Sequence, residues 1–301
     1  MFPHNLLNTF IFIMFLKFYE NSSALIVSPN FENSNGILTS LPTLNNGELT
    51  IYQSCPRGNN VSSGRPILLL IYDIFGLHPH AFHYADRVAN LTGYCVLVPD
   101  FFRLKPFPTK GYPPRNPNLV TKFIQRNGSF EHVVKPDIIS VVDHYDADKW
   151  GAFGFCWGGK MVPLLLGDAT LGQHFLASVS IHPAPVKFAD VAKMSKPQKL
   201  MLLPSKDEAN LVPLCTYLNR RLGRDTCETK RYTDMPHGFG GALGNWKNPR
   251  IMKNVNDSIK NLYEKDLVGV KDESVVTIDE ALFKVDDCNG RRIICCASLR
   301  K

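Results

Sequence analysis

Apolar positions along this chain fall into short buried runs separated by helical stretches. Pro66 to Tyr72 (Pro-Ile-Leu-Leu-Leu-Ile-Tyr) is almost wholly apolar, the pattern of a strand covered on both faces in a parallel sheet. Tyr94 to Val98 and Lys199 to Leu203 repeat that pattern, and Trp150 to Phe153 is strand-like. Residues 47–54 alternate instead, as an early strand with one wet face does. Ala81 to Leu91 fits a helix, an apolar run through Leu166 fits a second, and Asn254 to Leu267 fits a closing third. This strand–helix–strand alternation predicts an α/β fold: a mostly parallel central sheet with right-handed crossovers and helices on both faces.

Phe101 to Asn118 breaks the rhythm. Pro106, Pro108, Pro113, Pro114 and Pro117 alternate with Phe102, Phe107 and Tyr112, and proline at that density excludes regular helix or central strand. The segment reads first as a surface loop and second as an aromatic rim over a site, since it follows a strand end. At the start, Leu6 to Phe18 has a strongly apolar centre (Phe10 to Leu16) and Ser22-Ser23-Ala24 supplies small residues, so residues 1–24 look like a signal peptide with a poor basic region. The expected organisation is a leader over 1–24, one domain over 25–267 and a tail of mixed charge over 268–301.

Gly154-Phe155-Cys156-Trp157-Gly158-Gly159 lies between a predicted strand and a predicted helix. Strand, G-x-nucleophile-x-G turn and helix together form a nucleophile elbow, here with cysteine at the reactive position. An ordinary thiol has a pKa of about 8.5 and is little ionised at neutral pH, so it needs a base and a group to orient that base. The chain supplies Asp207 after the Lys199–Leu203 strand and His237 in the Pro236-His237-Gly238-Phe239 loop, in the order expected of such a triad. Glu208 and Asp234 are the competing carboxylates. A lone cysteine is more often a small buried hydrophobe, but the glycine-bounded settings of Cys156 and His237 favour chemistry.

These residues resemble the dienelactone hydrolase (carboxymethylenebutenolidase) family, particularly its eukaryotic branch. The similarity runs from about Leu41 to about Leu262 and includes Asp73-Ile74-Phe75-Gly76, Val98-Pro99-Asp100-Phe101-Phe102, the Gly154–Lys160 motif, His182-Pro183 and Pro236–Phe239. The resemblance implies an α/β-hydrolase fold and a triad of Cys156, Asp207 and His237. It also implies an oxyanion hole from the backbone N–H groups of Ile74 and Trp157, with no cofactor or metal. Asp73 stands where bacterial members carry a thiol-contacting Glu. Gly241 stands where they carry a substrate-binding arginine, and Arg103 is one residue out of step with a second such arginine. Loss of a guanidinium, the natural bidentate partner of a carboxylate, points to neutral or differently anchored substrates. The expected activity is hydrolysis of small esters or lactones through a thioester. The competing readings are a hydrolase-like fold kept for binding or signalling, and redox use of Cys156.

Charge adds little to this picture. A net charge of +7 and a pI near 8.9 come from dispersed Lys and Arg without interleaved aromatics, which argues against nucleic-acid binding. No C-x-x-C metal spacing is present, and His78, His80 and His83 read as a helix start. Besides Cys156, Cys95 reads as a plain core thiol, Cys215 and Cys227 can form a short bridge, and Cys288, Cys295 and Cys296 can pair among themselves or with Cys55. The leader and five sequons (Asn21, Asn60, Asn90, Asn127 and Asn256) favour a secreted or lumenal protein over a cytoplasmic one. The exposure of a reactive thiol to oxidation weighs the other way.

Overall fold

Parallel β-strands buried on both faces form the centre of the molecule. The structure, a computed structural model, describes residues 34–43, 47–56, 61, 64–195, 199–206 and 211–264. The leader, Asp207 and the tail lie outside the described residues. An eight-stranded sheet runs through β1 (Ile37–Thr43), β2 (Gly47–Ser54), β3 (Ile67–Ile71), β4 (Cys95–Pro99), β5 (Trp150–Phe155), β6 (Phe175–Ile181), β7 (Lys199–Leu203) and β8 (Cys227–Thr229). Their spatial order is β1-β2-β4-β3-β5-β6-β7-β8, antiparallel from β1 through β4 and parallel from β4 to β8. Every residue of β3 and β5 is buried, which is why the continuous apolar runs appear there.

The helices are α1 (Pro79–Thr92), α2 (Asn118–Asn127), α3 (Lys135–His144), α4 (Trp157–Gly167), α5 (Phe188–Val191), α6 (Val212–Leu222) and α7 (Pro249–Glu264). A π-helical turn at Phe130–Val134 precedes α3. His78 caps α1, accepting the His80 N–H on Nδ1 at 3.3 Å, and Pro79 and the left-handed Gly93 mark its ends. Helix α7 begins at Pro249, earlier than its apolar pattern suggests, and buries Val255, Ile259 and Leu262 along one stripe. Helices α1 and α7 meet through Tyr84 Oη and Ser258 Oγ, 2.9 Å apart.

The cysteine expectations need one correction. Cys95 is not a plain thiol but is bridged to Cys55, which joins the start of β4 to the end of β2. These two strands are antiparallel neighbours, so the sheet register brings the two residues together. Cys215 and Cys227 are also bridged, and Cys156 is the free cysteine among the described residues. No described helix is long and apolar enough to cross a membrane, and no metal-holding cluster occurs among the described residues.

Candidate active site

Chain order places the site. After β3 the chain crosses to β4 on one side, and later strands build outward from β5 on the other. The carboxyl ends of β3 and β5 are therefore the switch point of the sheet, where open α/β sheets form a crevice. Asp73 and Ile74 follow β3; Cys156 and Trp157 follow β5.

Cys156 has φ 49° and ψ −113°, a conformation unfavourable for a residue with a Cβ. The turn is held by Cys156 N–H to Ile181 O (3.2 Å), Ala184 N–H to Cys156 O (2.7 Å) and Gly158 N–H to Tyr72 O (3.2 Å). Glycine is required beside it: a Cβ on Gly158 would lie 2.0 Å from Ile71 O and 2.4 Å from Tyr72 O. The buried Trp157 side chain donates from Nε1 to Gly128 O at 3.0 Å. The backbone N–H groups of Ile74 and Trp157 donate to no other described residue, and Trp157 opens α4, where the helix dipole is positive.

His237 interacts with two acid–base groups, His182 and Asp73. Its ring centroid is 5.2 Å from that of His182, which is fully buried. His182 Nε2 accepts the Gly240 N–H at 3.3 Å, so the ring proton sits on Nδ1, which has no partner among the described residues. Burial, and then the nearby His237, push the His182 pKa well below its usual range and keep the ring neutral. Asp73 is also buried. Desolvation raises its pKa from 3.8 to about 6 against the opposing pull of the Ala242 and Phe75 N–H groups and of His237.

Pro-rich residues 101–117 carry no long element and reach the site as an aromatic rim. Tyr112 packs edge-on against Phe75 (5.1 Å), Phe107 against Tyr112 and Phe123, and Phe107 N–H donates to Ile74 O at 2.9 Å. Burial raises the Tyr112 pKa, and the charges of Cys156 and Asp73 raise it further. Tyr112 is one of the aromatics in the proline-rich segment whose second reading in the sequence is a rim over a site.

Two sequence candidates are directed elsewhere. Arg103 makes a bidentate pair with Asp137 (2.8 Å for each bond) and reaches Asp100 O at 3.0 Å. Asp234, the competitor of Asp207, pairs with Arg250 at 2.9 Å. A cavity of about 620 Å³ lies alongside α1, with His80, Arg87, Trp246 and Met252 among its walls, but Cys156, Asp73 and His237 do not line it.

A sharp strand–turn–helix elbow at the switch point of a mostly parallel sheet defines the molecule as an α/β-hydrolase. More narrowly, residues 57–262 match the model of the dienelactone hydrolase family, and the chain belongs to that family of hydrolases. An uncharacterized AIM2 family protein of Schizosaccharomyces pombe is 30% identical over 213 residues, covering 67% of this chain and 82% of that protein. The carboxymethylenebutenolidase homolog of Homo sapiens is 25% identical over 220 residues, covering 68% and 82%. Among solved structures, a putative dienelactone hydrolase from Klebsiella pneumoniae superposes with TM-score 0.57 at 18% identity, covering 76% of this chain and 98% of that one. A dienelactone hydrolase-like promiscuous phosphotriesterase from metagenomic libraries gives 0.56 at 18% identity, with 78% and 99% coverage. At that identity both show a shared fold.

Proposed function

We propose that the protein hydrolyses small carboxylic esters or lactones through a thioester on Cys156, with His237 as base and Asp207 orienting it. The observation that best supports this reading is the strained elbow of Cys156 at the mouth of α4, beside two N–H groups that no other described residue engages. Strain of this kind persists where the surroundings over-determine it, commonly at reactive positions. Asp207 lies outside the described residues and keeps its role on chain order alone. Arg103 is given no part in substrate binding, because Asp137 and Asp100 occupy its guanidinium.

In the first step the Cys156 thiol proton passes to His237 as sulfur bonds to the carbonyl carbon. The carbonyl electron pair moves onto oxygen, which faces the Ile74 and Trp157 N–H groups; one such donor is typically worth roughly 3 kcal/mol in the transition state. Collapse breaks the carbon–oxygen bond, and the leaving oxygen takes the proton from His237. Water, giving its proton to His237, then attacks the thioester; the acid departs and the thiol is restored. Thiolate expels enolates and phenolates more readily than alkoxides, so activated esters and enol-lactones are the preferred substrates. The two bridges, Cys55–Cys95 and Cys215–Cys227, support maturation in an oxidising compartment, secreted or lumenal.

The test is turnover of p-nitrophenyl acetate and a panel of small enol-lactones by wild type and Cys156→Ala, with mass spectrometry for an acyl adduct. The expected result is an adduct on Cys156 and loss of turnover in the variant. Undiminished turnover by folded Cys156→Ala would exclude the mechanism.

A further inference from the structure

Asp73 stands just past β3 with its carboxylate turned to the loop that carries His237. Its Oδ2 accepts the Ala242 N–H at 2.8 Å, and its Oδ1 accepts the Phe75 N–H at 3.0 Å. A Cβ on Gly241 would lie 2.3 Å from Oδ2, so this carboxylate position and a side chain at 241 exclude each other. From α1, His80 Nδ1 lies 2.9 Å from Gly241 O. A carbonyl only accepts, so Nδ1 carries the proton. The His80 ring stacks on Trp246 at 4.2 Å and 2°, and Trp246 Nε1 donates to Phe239 O at 3.1 Å.

The loop between these contacts is internally tied. Phe239 N–H donates to Pro236 O, Gly241 N–H to Gly238 O and Gly244 N–H to Gly241 O, at 3.0 to 3.3 Å. These overlapping turns span Pro236 to Gly244, so a displacement at Ala242 is passed to His237. A buried carboxylate is costly unless hydrogen-bonded, and here both oxygens are used to hold backbone.

We propose that Asp73 is a positioning residue that latches the His237 loop to the end of β3, and that glycine at 241 is the condition for this latch. The proposal rests on His237 being the base of the hydrolysis described above. It gives Asp73 a role through the histidine rather than on the thiol. It also explains why position 241 carries no anchor for a charged substrate: any such side chain would have to displace Asp73.

The experiment is a double-mutant cycle on the full chain, with kcat and KM for p-nitrophenyl acetate measured for wild type, Asp73→Ala, Gly241→Ala and the double variant. Gly241→Ala is expected to lower kcat about tenfold in the wild-type background and less than about twofold where Asp73 is already Ala, the non-additivity of groups in contact. KM should stay nearly constant, because the loss is in placing the base. Single losses that multiply in the double variant overturn the latch. Asp73→Asn, nearly equal in volume and retaining one acceptor oxygen, should keep part of the kcat that Asp73→Ala loses; equal loss in both also overturns it. Turnover surviving in Cys156→Ala would defeat the mechanism itself, whereas multiplying losses with Cys156→Ala inactive would defeat only the latch.

Discussion

Replacing Asp73 with asparagine should change how stability depends on pH, in a direction that follows from the burial of its carboxyl. Burial raises the Asp73 pKa from 3.8 to about 6 in the folded protein. In the unfolded chain the carboxyl ionises around 3.8; in the folded chain it holds its proton over about 2 pH units more. Between those values the folded state binds more protons than the unfolded state, so wild-type stability falls as pH rises through the window. At 1.36 kcal/mol per pH unit, the ionised carboxylate costs the folded state about 3 kcal/mol above the window. Asparagine has no proton to lose. Its amide NH₂ faces one of the two backbone donors, a pH-independent loss of roughly 1–3 kcal/mol that moves the whole curve. The stability of Asp73→Asn minus that of wild type should therefore rise by about 3 kcal/mol from pH 3.5 to pH 7. Urea unfolding at half-unit pH steps, with the bridges kept intact, measures this difference. A difference flat to within about 0.5 kcal/mol, or one that falls with pH, refutes the assignment of Asp73 as a desolvated carboxylate that ionises at a cost.

Arg103→Ala takes the guanidinium from Asp137, whose side chain is 0% exposed, and should destabilise the protein by about 3 kcal/mol in chemical denaturation while leaving KM nearly unchanged. A raised KM with unchanged stability would restore Arg103 to the substrate. Cys55→Ala with Cys95→Ala opens a loop of sequence separation 40, and the loss of chain constraint predicts about 4 kcal/mol in urea unfolding. A loss below about 1 kcal/mol would show that the β2–β4 pairing alone carries the closure.

Much of the sheet was legible because burial on both faces leaves a one-dimensional mark. The segments at β3, β4 and β7 read as continuous apolar runs, and each is a strand. Strand β6 gave no such reading: it carries Ser178 and Ser180, and Ser180 Oγ donates to Gly159 O at 2.7 Å. The Ser180 hydroxyl is satisfied by a partner 21 residues away, which no local window contains, while Ser178 Oγ is buried with no partner among the described residues. Strand β1 is an edge strand with several exposed positions, and β8 has three residues, too few to display a period. Helix α2 fully buries none of its residues. Its short stripe of Leu119, Val120, Phe123 and Ile124 follows directly on the proline-rich segment that reads as a loop, and Phe123 packs on Phe102 and Phe107 from that segment.

The elbow is marked in the sequence because one steric demand there is local, a Cβ on Gly154 lying 2.6 Å from Gly158 C, whereas the demand on Gly158 comes from Ile71 O and Tyr72 O at the end of β3. Proline and glycine likewise mark the His237 loop. Tertiary structure decided which side chains meet across the sheet. Arg103 reads in the sequence as a substrate candidate, but Asp137, 34 residues away, holds it. Cys95 looked like core until the antiparallel pairing of β2 and β4 set it against Cys55. Asp73 and Gly241 looked like separate departures from a family pattern, yet in space they are one contact. Local sterics act over a few residues and are written in adjacent letters; desolvation, ion pairing and exclusion depend on distances that only the folded chain sets.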